Sequence, residues 1–321
     1  MNEFVKYVFV CMLVAQIALL ITRAYYWNSP KSEVGAKKFV GFRLNYGRFG
    51  NQMFHLITGY GIARTLNRKH YLPFEEHVRI HVEKYLDYFN HIFPRLQETY
   101  VLAQNGTNET LVSFPGSCCT YVDPARYSNN NDEYLLLNFI YGQNPRYFES
   151  YITEIREILQ FSEEMNRNGS KIVDALKTNH SNFLCIHVRG TDFTWMNVST
   201  NVTTTANVAY QLARRKNISQ FMIFGDDQQL MLNISNAIIA KGMWKKNAVL
   251  ISKYDEAMDI YIASKICNTV LMTALTSTFG WWIAFFSPDQ NSVFYVNDTR
   301  PQADKVPSKE LFLRSWQEYR E

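Results

Sequence analysis

The sequence is poor in charge and lacks a long basic tract, and these shortages exclude two classes of protein. Charged residues make up 19% of the 321 residues and hydrophobic ones 47%, which excludes a disordered chain. The basic residues are dispersed in short runs such as Lys37-Lys38 and Lys245-Lys246, so the net charge of +4 does not predict a nucleic-acid surface. A local basic site for a small anion stays compatible with this composition.

Cysteine is also scarce, and its spacing does not fit a metal site. The five cysteines are Cys11, Cys118, Cys119, Cys185 and Cys267, too few and too scattered for a disulfide-rich scaffold. We expect Cys118 and Cys119, as direct neighbours, not to bond each other, while a bridge from one of them to Cys267 stays open. We interpret Cys185 as a small apolar residue of a core strand.

The N-terminus carries the longest apolar run of the chain. Residues 7–21 contain a single strongly polar residue, Gln16, and Lys6 and Arg23 flank them. The run is shorter than the ~20 residues of a typical span, although a thin bilayer and snorkelling flanks can accommodate it. We predict a cytoplasmic tail at 1–6, a signal anchor at 7–23 and a stem at 24–37. A cleaved signal peptide is the alternative.

Nine N-glycosylation sequons indicate a lumenal body for the protein. Roughly three would arise by chance at this composition, and the excess outweighs the Lys and Arg residues after the apolar run, which alone would favour a cytosolic body. The predicted glycosylation sites are Asn105, Asn108, Asn168, Asn179, Asn197, Asn201, Asn217, Asn233 and Asn297.

Apolar runs and helical patterns alternate along the chain and predict an α/β fold of two lobes. The first strand–helix–strand series lies within 38–165, and a second, more regular series lies within 180–321. Residues 100–131 show no clear pattern, and a helix is expected at the C-terminus. Two facing lobes imply a cleft, and ligands of open α/β sheets bind beyond the carboxyl ends of the strands.

Four polar stretches follow predicted strands and could all face that cleft: residues 47–52, 187–192, 225–227 and 276–279. Arg189 can grip phosphate oxygens through two parallel hydrogen bonds, and Asp192 can orient it or read a sugar hydroxyl. The alternative is a surface ion pair of little consequence.

Hydroxyl groups at residues 276–278 precede an apolar helical run. Such groups ordinarily cap a helix, but they also suit an anion held at the helix N-terminus. The paired acids Asp226 and Asp227 could hold a metal ion, yet we favour a helix cap and a loop contact because no further acid stands nearby in the sequence. The loop at 47–52 fits neither the dinucleotide pattern nor a phosphate loop.

Four stretches in this order, GRFGNQMFHLITGYGIARTLNRKHYLP, HVRGTDF, FGDD and TSTFGWWIAFFS, resemble the α-1,2-fucosyltransferases of glycosyltransferase family 11, most of all nematode-type members. The resemblance covers about residues 38–300. It implies a GT-B-like fold of two Rossmann-type lobes, a type II Golgi membrane protein, and inverting transfer of L-fucose from GDP-β-L-fucose to a galactose hydroxyl of a glycan acceptor. No essential metal or other cofactor is implied.

The resemblance also assigns roles to single residues. His187, Arg189 and Asp192 match the family's H-x-R-R-x-D motif, with Arg189 on the β-phosphate, whereas Gly190 stands where the family has a second Arg. Asp227 is expected to contact the donor. Ser277, Thr278 and Phe279 are expected near the pyrophosphate. Gly50, Asn51 and Gln52 are expected to face the reacting sugar, with Asn51 in a catalytic role.

Two questions stay open at this point. The base that takes the acceptor proton could be Asp192, His187 or His55. Two other functions also remain: a GDP- or sugar-binding protein without turnover, which Gly190 would suit, and a protein O-fucosyltransferase, with which the GRFGNQ loop is shared.

Overall fold

A computed structural model of the protein describes residues 37–114, 118–177, 182–303 and 305–320. The predicted tail at 1–6, the anchor at 7–23 and all but the last residue of the stem at 24–37 lie outside these residues, as does Asn179. None of the helices in the described part of the chain is long and apolar enough to cross a membrane.

The first lobe is built on a sheet of five parallel strands in the order β3-β2-β1-β5-β4. β1 is apolar and fully buried at its centre, as expected of a parallel strand covered on both faces. Its strands are β1 (Phe39–Phe42), β2 (Lys69–Leu72), β3 (Tyr100–Leu102), β4 (Glu109–Ser113) and β5 (Tyr134–Asn138), and its main helices are α1 (Phe49–Thr65), α2 (Glu76–Ile92) and α3 (Ile152–Ile158).

The second lobe is built on six parallel strands in the order β8-β7-β6-β9-β10-β11, which is the strand order of a Rossmann sheet. Its strands are β6 (Phe183–His187), β7 (Gln220–Phe224), β8 (Val249–Ile251), β9 (Thr269–Met272), β10 (Val293–Tyr295) and β11 (Gln317–Glu318). Its helices are α4 (Glu163–Lys177), α5 (Thr191–Trp195), α6 (Val202–Lys216), α7 (Gln228–Gly242), α8 (Glu256–Ile266) and α9 (Thr278–Phe286).

The two sheets share one hydrophobic core because α1 and α9 pack directly on each other. The Phe54 ring lies 4.9 Å from Trp281 and 5.1 Å from Trp282. The Trp282 indole also donates a hydrogen bond of 3.0 Å to the carbonyl oxygen of Gly50. This packing fixes the first turns of the two helices relative to each other, and the sheets confirm the predicted pair of α/β lobes.

Three expectations about local structure were wrong. Residues 100–131 hold two strands, β3 and β4, whose Leu102 and Leu111 are exposed and therefore give no apolar run. The helix α1 begins at Phe49, so Gly50, Asn51 and Gln52 form its first turn and not a loop. The expected C-terminal helix is instead a 3-10 turn at Lys309–Leu311 followed by β11.

The cysteines pair differently from expectation. Cys118 and Cys119 do form a disulfide, across a peptide bond with a Cα–Cα distance of 3.8 Å. Cys185 lies in β6 as expected, but it bonds Cys267, 82 residues away, at the end of α8. Only the adjacency of β6 and β9, which the sequence does not reveal, brings this second pair together.

Candidate active site

A cavity of about 600 Å³ opens where the carboxyl ends of β1, β6 and β9 meet. All four polar stretches singled out in the sequence contribute to its lining, among them Gly50, Arg189, Asp226 and Thr278. β6 lies between β7 and β9 in the sheet, so the chain leaves β6 at the point where strand order reverses. Ligands of open α/β sheets bind at this position.

Two helix N-termini meet at the base of the cavity. A Cβ atom at Gly50, in the first turn of α1, would lie 2.7 Å from the backbone nitrogen of Phe279, in the first turn of α9. Only glycine permits this approach. The first amides of a helix have no intrahelical acceptor and carry the positive end of the helix dipole. Two such ends against one cavity favour an anionic ligand there.

Arg189 lies at the cavity wall within a cluster of charges. Its Nη2 is 3.0 Å from Asp192 and its Nε is 3.1 Å from Asp226, while the side chain is 12% exposed. Arg48, in the loop before α1, forms a 3.0 Å ion pair with the same Asp192 and so links the two lobes. Asp192 therefore contacts both arginines, and its role in orienting Arg189 stays a prediction.

Asp226 and Asp227, the two acidic residues after β7, form different hydrogen bonds. Asp226 accepts a hydrogen bond from the backbone nitrogen of Gly190 at 2.9 Å and another from the hydroxyl of Thr191. Asp227 caps α7 by accepting from the Leu230 amide at 2.9 Å. These are the loop contact and the helix cap favoured from the sequence. Across the described ranges no group of three or more His, Cys, Asp or Glu side chains could hold a metal ion.

Asn51 belongs to a hydrogen-bonded network that crosses between the lobes. Its Oδ1 accepts from the Thr278 hydroxyl at 3.0 Å and from the Gln143 amide at 2.8 Å. The Oε1 of Gln143 accepts in turn from Lys305 Nζ at 2.9 Å, and the same Nζ donates to the carbonyl oxygen of Thr276 at 2.9 Å. The network fixes Asn51, Gln143 and Lys305 beside the first turn of α9.

His187 lies under the cavity as a buried and unsatisfied group. Its ring is 0% exposed, and neither ring nitrogen has a hydrogen-bond partner in the described part of the protein. Burial lowers the pKa of His187 to about 4, so the ring is neutral near pH 7. Phe279 meets it edge-on at 6.0 Å. Among the described residues, the buried rings of His55 and His70 also have no hydrogen-bond partner, so this feature does not by itself mark a ligand contact.

Three predicted site residues do not line the cavity. The Gln52 amide donates to the carbonyl oxygens of Asn45 at 2.8 Å and Gly47 at 2.9 Å, so this buried side chain supports the loop and does not face a sugar. Asp227 is held by its cap. His55 packs against Phe42, with ring centroids 4.1 Å apart, in the core of the first lobe, where burial lowers its pKa to about 3.

Ser277 and Phe279 do line the cavity, although Ser277 is also a helix cap. Its hydroxyl accepts from the Gly280 amide at 3.4 Å, the ordinary cap considered from the sequence. An added Cβ at Gly280 would lie 2.4 Å from Nδ1 of His187, which shows how closely α9 approaches β6. A ligand at this turn would meet backbone amides, and the Thr278 hydroxyl already bonds Asn51.

The opposite end of the cavity, after β8, is acidic. Asp255, Glu256 and Asp259 line it together with Tyr254. Asp259 is buried and accepts from the Ser252 hydroxyl, and burial raises its pKa to about 8. The lining of the cavity therefore includes the two helix N-termini and, after β8, the carboxyl groups of Asp255 and Glu256.

All eight sequon asparagines within the described residues are exposed, as attachment of a glycan requires. Asn201 nevertheless caps α6 by accepting from the Thr204 amide at 2.9 Å, and Asn233 lies within α7. Occupancy of these sites stays a prediction.

Sequence reasoning missed several residues of the site. Lys305 lies ahead of the expected C-terminal helix in a stretch without any motif, and Gln143 follows β5 without one. Arg48 lies within the quoted GRFGNQ loop, and its position between two glycines is the feature by which it could have been predicted as a site residue. Thr200, whose hydroxyl accepts from the Arg189 backbone nitrogen at 3.0 Å, gives no signal in the sequence.

The protein is of the two-lobed α/β class. Both lobes are Rossmann-like and built on a parallel sheet, and a polar cavity lies where the strand ends of the two sheets face each other. The particular family follows from the sequence, because the family model described as Glycosyl transferase family 11 matches residues 8–320. The chain belongs to this family and is a glycosyltransferase.

Similar proteins and structures are known. A Caenorhabditis elegans protein provisionally named galactoside 2-alpha-L-fucosyltransferase svh-11 is 27% identical over 277 residues, and the match covers 83% of this chain and 73% of that protein. A C. elegans galactoside 2-alpha-L-fucosyltransferase is 25% identical over 321 residues, covering 90% of this chain and 82% of that one. A solved structure described as POFUT1 in complex with GDP-fucose aligns with 82% of this chain and 99% of that chain, at 12% identity and a TM-score of 0.47.

Proposed function

We propose that the protein transfers L-fucose from GDP-β-L-fucose to a galactose hydroxyl of a glycan, in α-1,2 linkage and with inversion. The names of the C. elegans relatives support the substrate class. The structural observation that carries the proposal is the meeting of Arg189 and the N-termini of α1 and α9 at one cavity. These are the groups that a diphosphate needs.

In the proposed reaction, the acceptor oxygen bonds to C1 of fucose while the bond from C1 to the β-phosphate oxygen breaks. The electron pair stays on GDP, and the acceptor hydroxyl loses its proton. Negative charge on the diphosphate grows as that bond breaks, so cationic groups and helix amides stabilise the transition state more than the bound donor. One preorganised donor of this kind contributes about 3–4 kcal/mol.

The proton acceptor is weak in this mechanism. His55 is excluded by its place in the core, outside the cavity. His187 lines the cavity but has a pKa of about 4, and Asp192 is engaged by Arg189 and Arg48. We propose that C1 carries most of the positive charge before the new bond forms. The acceptor proton is then lost late, to solvent water, and a strong base is not needed.

The transfer itself is tested with the purified full-length chain, GDP-fucose and a panel of β-galactosides. We expect release of GDP together with a fucosylated product, and we expect the linkage in that product to be α-1,2. GDP binding without transfer to any acceptor would favour the binding-protein alternative. Transfer to a Ser or Thr of a folded peptide module, and to no galactoside, would favour the protein O-fucosyltransferase alternative.

We also propose that the body of the protein is lumenal in the Golgi, anchored by residues 7–23, and that the transfer needs no metal ion. The exposed sequon asparagines support the first proposal. Treatment with a glycan-removing enzyme should increase gel mobility, and a chelator should leave the transfer rate unchanged.

A further inference from the structure

One stretch of the second lobe carries many cations and few acids. Between Asp192 and Asp255 the acids are Asp226 and Asp227 alone, and hydrogen bonds hold both of them at the carboxyl end of β7. The helices α6 and α7 contain no Asp or Glu. The cations of the stretch are Arg214, Arg215, Lys216, Lys241, Lys245, Lys246 and Lys253. This imbalance gives the surface of α6 and α7 a net positive charge.

The C-terminal turns of α6 and α7 lie at the opposite end of the sheet from the cavity. α6 leads into β7 and α7 leads into β8, and each helix returns the chain across the sheet so that the next strand runs parallel to the last. The helix C-termini are therefore near the amino ends of the strands, whereas the cavity lies at the carboxyl ends. α6 and α7 also pack against each other. Cations in their last turns are thus separate from the groups proposed to hold the diphosphate.

Two of these cations meet at one aromatic ring. The centroid of the Tyr210 ring lies 5.8 Å from Cζ of Arg214 in α6 and 5.7 Å from Nζ of Lys241 in α7. Arg214 also donates a hydrogen bond of 3.3 Å to the Tyr210 hydroxyl. Trp244 packs on the same ring at 5.9 Å, and two further lysines follow it directly. The basic patch is defined here as Tyr210, Arg214, Lys241, Trp244, Lys245 and Lys246.

The positive charge of the basic patch is exposed and not offset by acids. All four cations are exposed, and none of them forms an ion pair within the described parts of the chain. The helix dipole accounts for Arg214 and Lys241, which lie in last turns. It does not account for Lys245 and Lys246, which follow the end of α7. Like charges gathered round one ring repel each other, and an anion with several charges would relieve that repulsion.

A sulfated polysaccharide fits the basic patch better than a membrane surface does. Segments that lie on a membrane insert a broad apolar face, whereas Met243, with 91% exposure, is a single apolar side chain at the end of α7. Cations spread over two helix ends and the turn after them match sulfate groups spaced along a chain. The rings of Tyr210 and Trp244 offer apolar surface to the sugar rings between those groups.

We propose that the basic patch is a docking surface for a sulfated polysaccharide, at the end of the second lobe opposite the cavity. The guanidinium and ammonium groups bind the sulfates, and the interaction weakens as salt screens these charges. Binding at this surface does not involve the cavity, so it is independent of the proposed fucose transfer.

Heparin is the probe, and desulfated heparin, which keeps the sugar chain and its carboxylates, is the control ligand. All proteins are full-length and carry Ser219→Ala, which removes the sequon at Asn217 beside the patch without changing that helix cap. We expect the double variant Arg214→Gln with Lys241→Gln to bind heparin about 10–30-fold more weakly than its parent. The slope of log affinity against log salt concentration should become shallower by about two, one for each cation removed.

Arg167→Gln with Lys171→Gln is the matched control variant. It removes two exposed cations from α4, a helix that also carries Glu163, Glu164 and Asp174. Its heparin affinity should stay within about twofold of the parent, because acids on the same helix offset this charge.

A second pair within the patch guards against a folding defect in the first. Lys245→Gln with Lys246→Gln leaves the contacts of Tyr210 intact and should weaken heparin binding by a similar factor. Both patch variants should transfer fucose at the rate of the parent and unfold at the same denaturant concentration.

Three results would overturn the inference. The parent could fail to bind heparin, both patch variants could bind it as tightly as the parent, or desulfated heparin could bind as tightly as heparin. Vesicles containing phosphatidylserine that capture the parent and not the patch variants, without any difference toward heparin, would show a membrane contact instead. Each of these results leaves fucose transfer unaffected, so the proposed function stands or fails separately.

Discussion

The crossings from β1 to α1 and from β9 to α9 have the same geometry but use their polar residues differently. Each runs from a buried parallel strand through a short loop to a helix whose first turn faces the cavity. At α1, Gln52 forms hydrogen bonds to the loop that precedes the helix. Gly50, which has no side chain, allows the close approach of α9. At α9, Ser277, Thr278 and Phe279 all line the cavity, and Lys305 reaches the carbonyl oxygen of Thr276.

The two crossings therefore differ in role: polar residues at α1 mainly stabilise the fold, whereas those at α9 line the cavity where a ligand would bind. The first lobe contributes a scaffold, a close approach and the side chain of Asn51, whereas the second lobe contributes most of the charge. Substitutions at the two crossings should therefore separate effects on stability from effects on activity.

The largest effect is expected from Gly50→Ala. The added Cβ would lie 2.7 Å from the Phe279 nitrogen and from the Thr278 hydroxyl, and backbone atoms cannot move aside without separating the two helix ends. We expect kcat/KM for fucose transfer to fall by at least about 100-fold and stability to fall by about 1–3 kcal/mol.

Gly106→Ala is the matched control for that substitution. Gly106 has a φ of +83° and nothing within 4 Å of an added Cβ, and it does not line the cavity. The substitution should cost about 1 kcal/mol of stability through backbone strain and leave kcat/KM unchanged. Equal activity losses in both variants would contradict the account of the helix contact.

The two disulfides should differ next most strongly in how much each stabilises the folded protein. Cys185 and Cys267 close a loop of 82 residues, whereas Cys118 and Cys119 are adjacent and constrain almost none of the unfolded chain. We expect Cys185→Ala to lower the free energy of unfolding by about 2–4 kcal/mol and Cys118→Ala by less than about 1 kcal/mol. Denaturant unfolding of both variants checks this, and a larger loss in Cys118→Ala would refute it.

Gln52→Met and Thr278→Val test directly whether α1 mainly affects stability and α9 mainly affects activity. Gln52→Met leaves the buried carbonyl oxygens of Asn45 and Gly47 without these donors, so stability should fall by about 1–3 kcal/mol. Thr278→Val removes one bond to Asn51, and we expect about 1 kcal/mol in stability but a roughly 10-fold fall in kcat. The comparison fails if Gln52→Met loses the more activity and Thr278→Val loses the more stability.

The smallest effect concerns the acidic end of the cavity. Burial raises the pKa of Asp259 from 3.8 to about 8. Between those values the unfolded chain releases a proton that the folded chain keeps, so this group lowers stability as pH rises from about 4 to about 8. Asp259→Asn removes the penalty and should be more stable than wild type by about 1–2 kcal/mol near pH 8, with little difference near pH 4. A difference that shrinks as pH rises would contradict this assignment.

The sequence alone predicts the strands that consist of consecutive apolar residues. β1, β6, β7 and β9 are buried strands with apolar residues at successive positions, and the helices between them show a clear period. β3 and β4 were missed because edge strands with exposed Leu102 and Leu111 lack that signal. The segment after β10 contains Pro301 and Pro307 and is held by aromatic packing, such as Tyr295 on Phe312 at 4.1 Å, instead of by helical periodicity.

The site could be predicted only where its residues belong to a motif. The sequence placed Arg189, Asp192, Asn51 and Thr278 at one cleft because each follows a strand of a parallel sheet. It could not identify Lys305 or Gln143, since their positions depend on how the chain returns over the cavity. It also assigned Gln52 and Asp227 to the ligand, although the nearest backbone amides and carbonyl oxygens already engage them.

The central claim is that Arg189 and the facing helix ends hold a nucleotide diphosphate, and GDP calorimetry on Arg189→Ala tests it most directly. Arg314→Ala is the control, because that side chain is 89% exposed and does not line the cavity. The account predicts measurable GDP affinity in the wild type and in Arg314→Ala, and a loss of about 100-fold in Arg189→Ala. GDP affinity in Arg189→Ala equal to that of the wild type would contradict it.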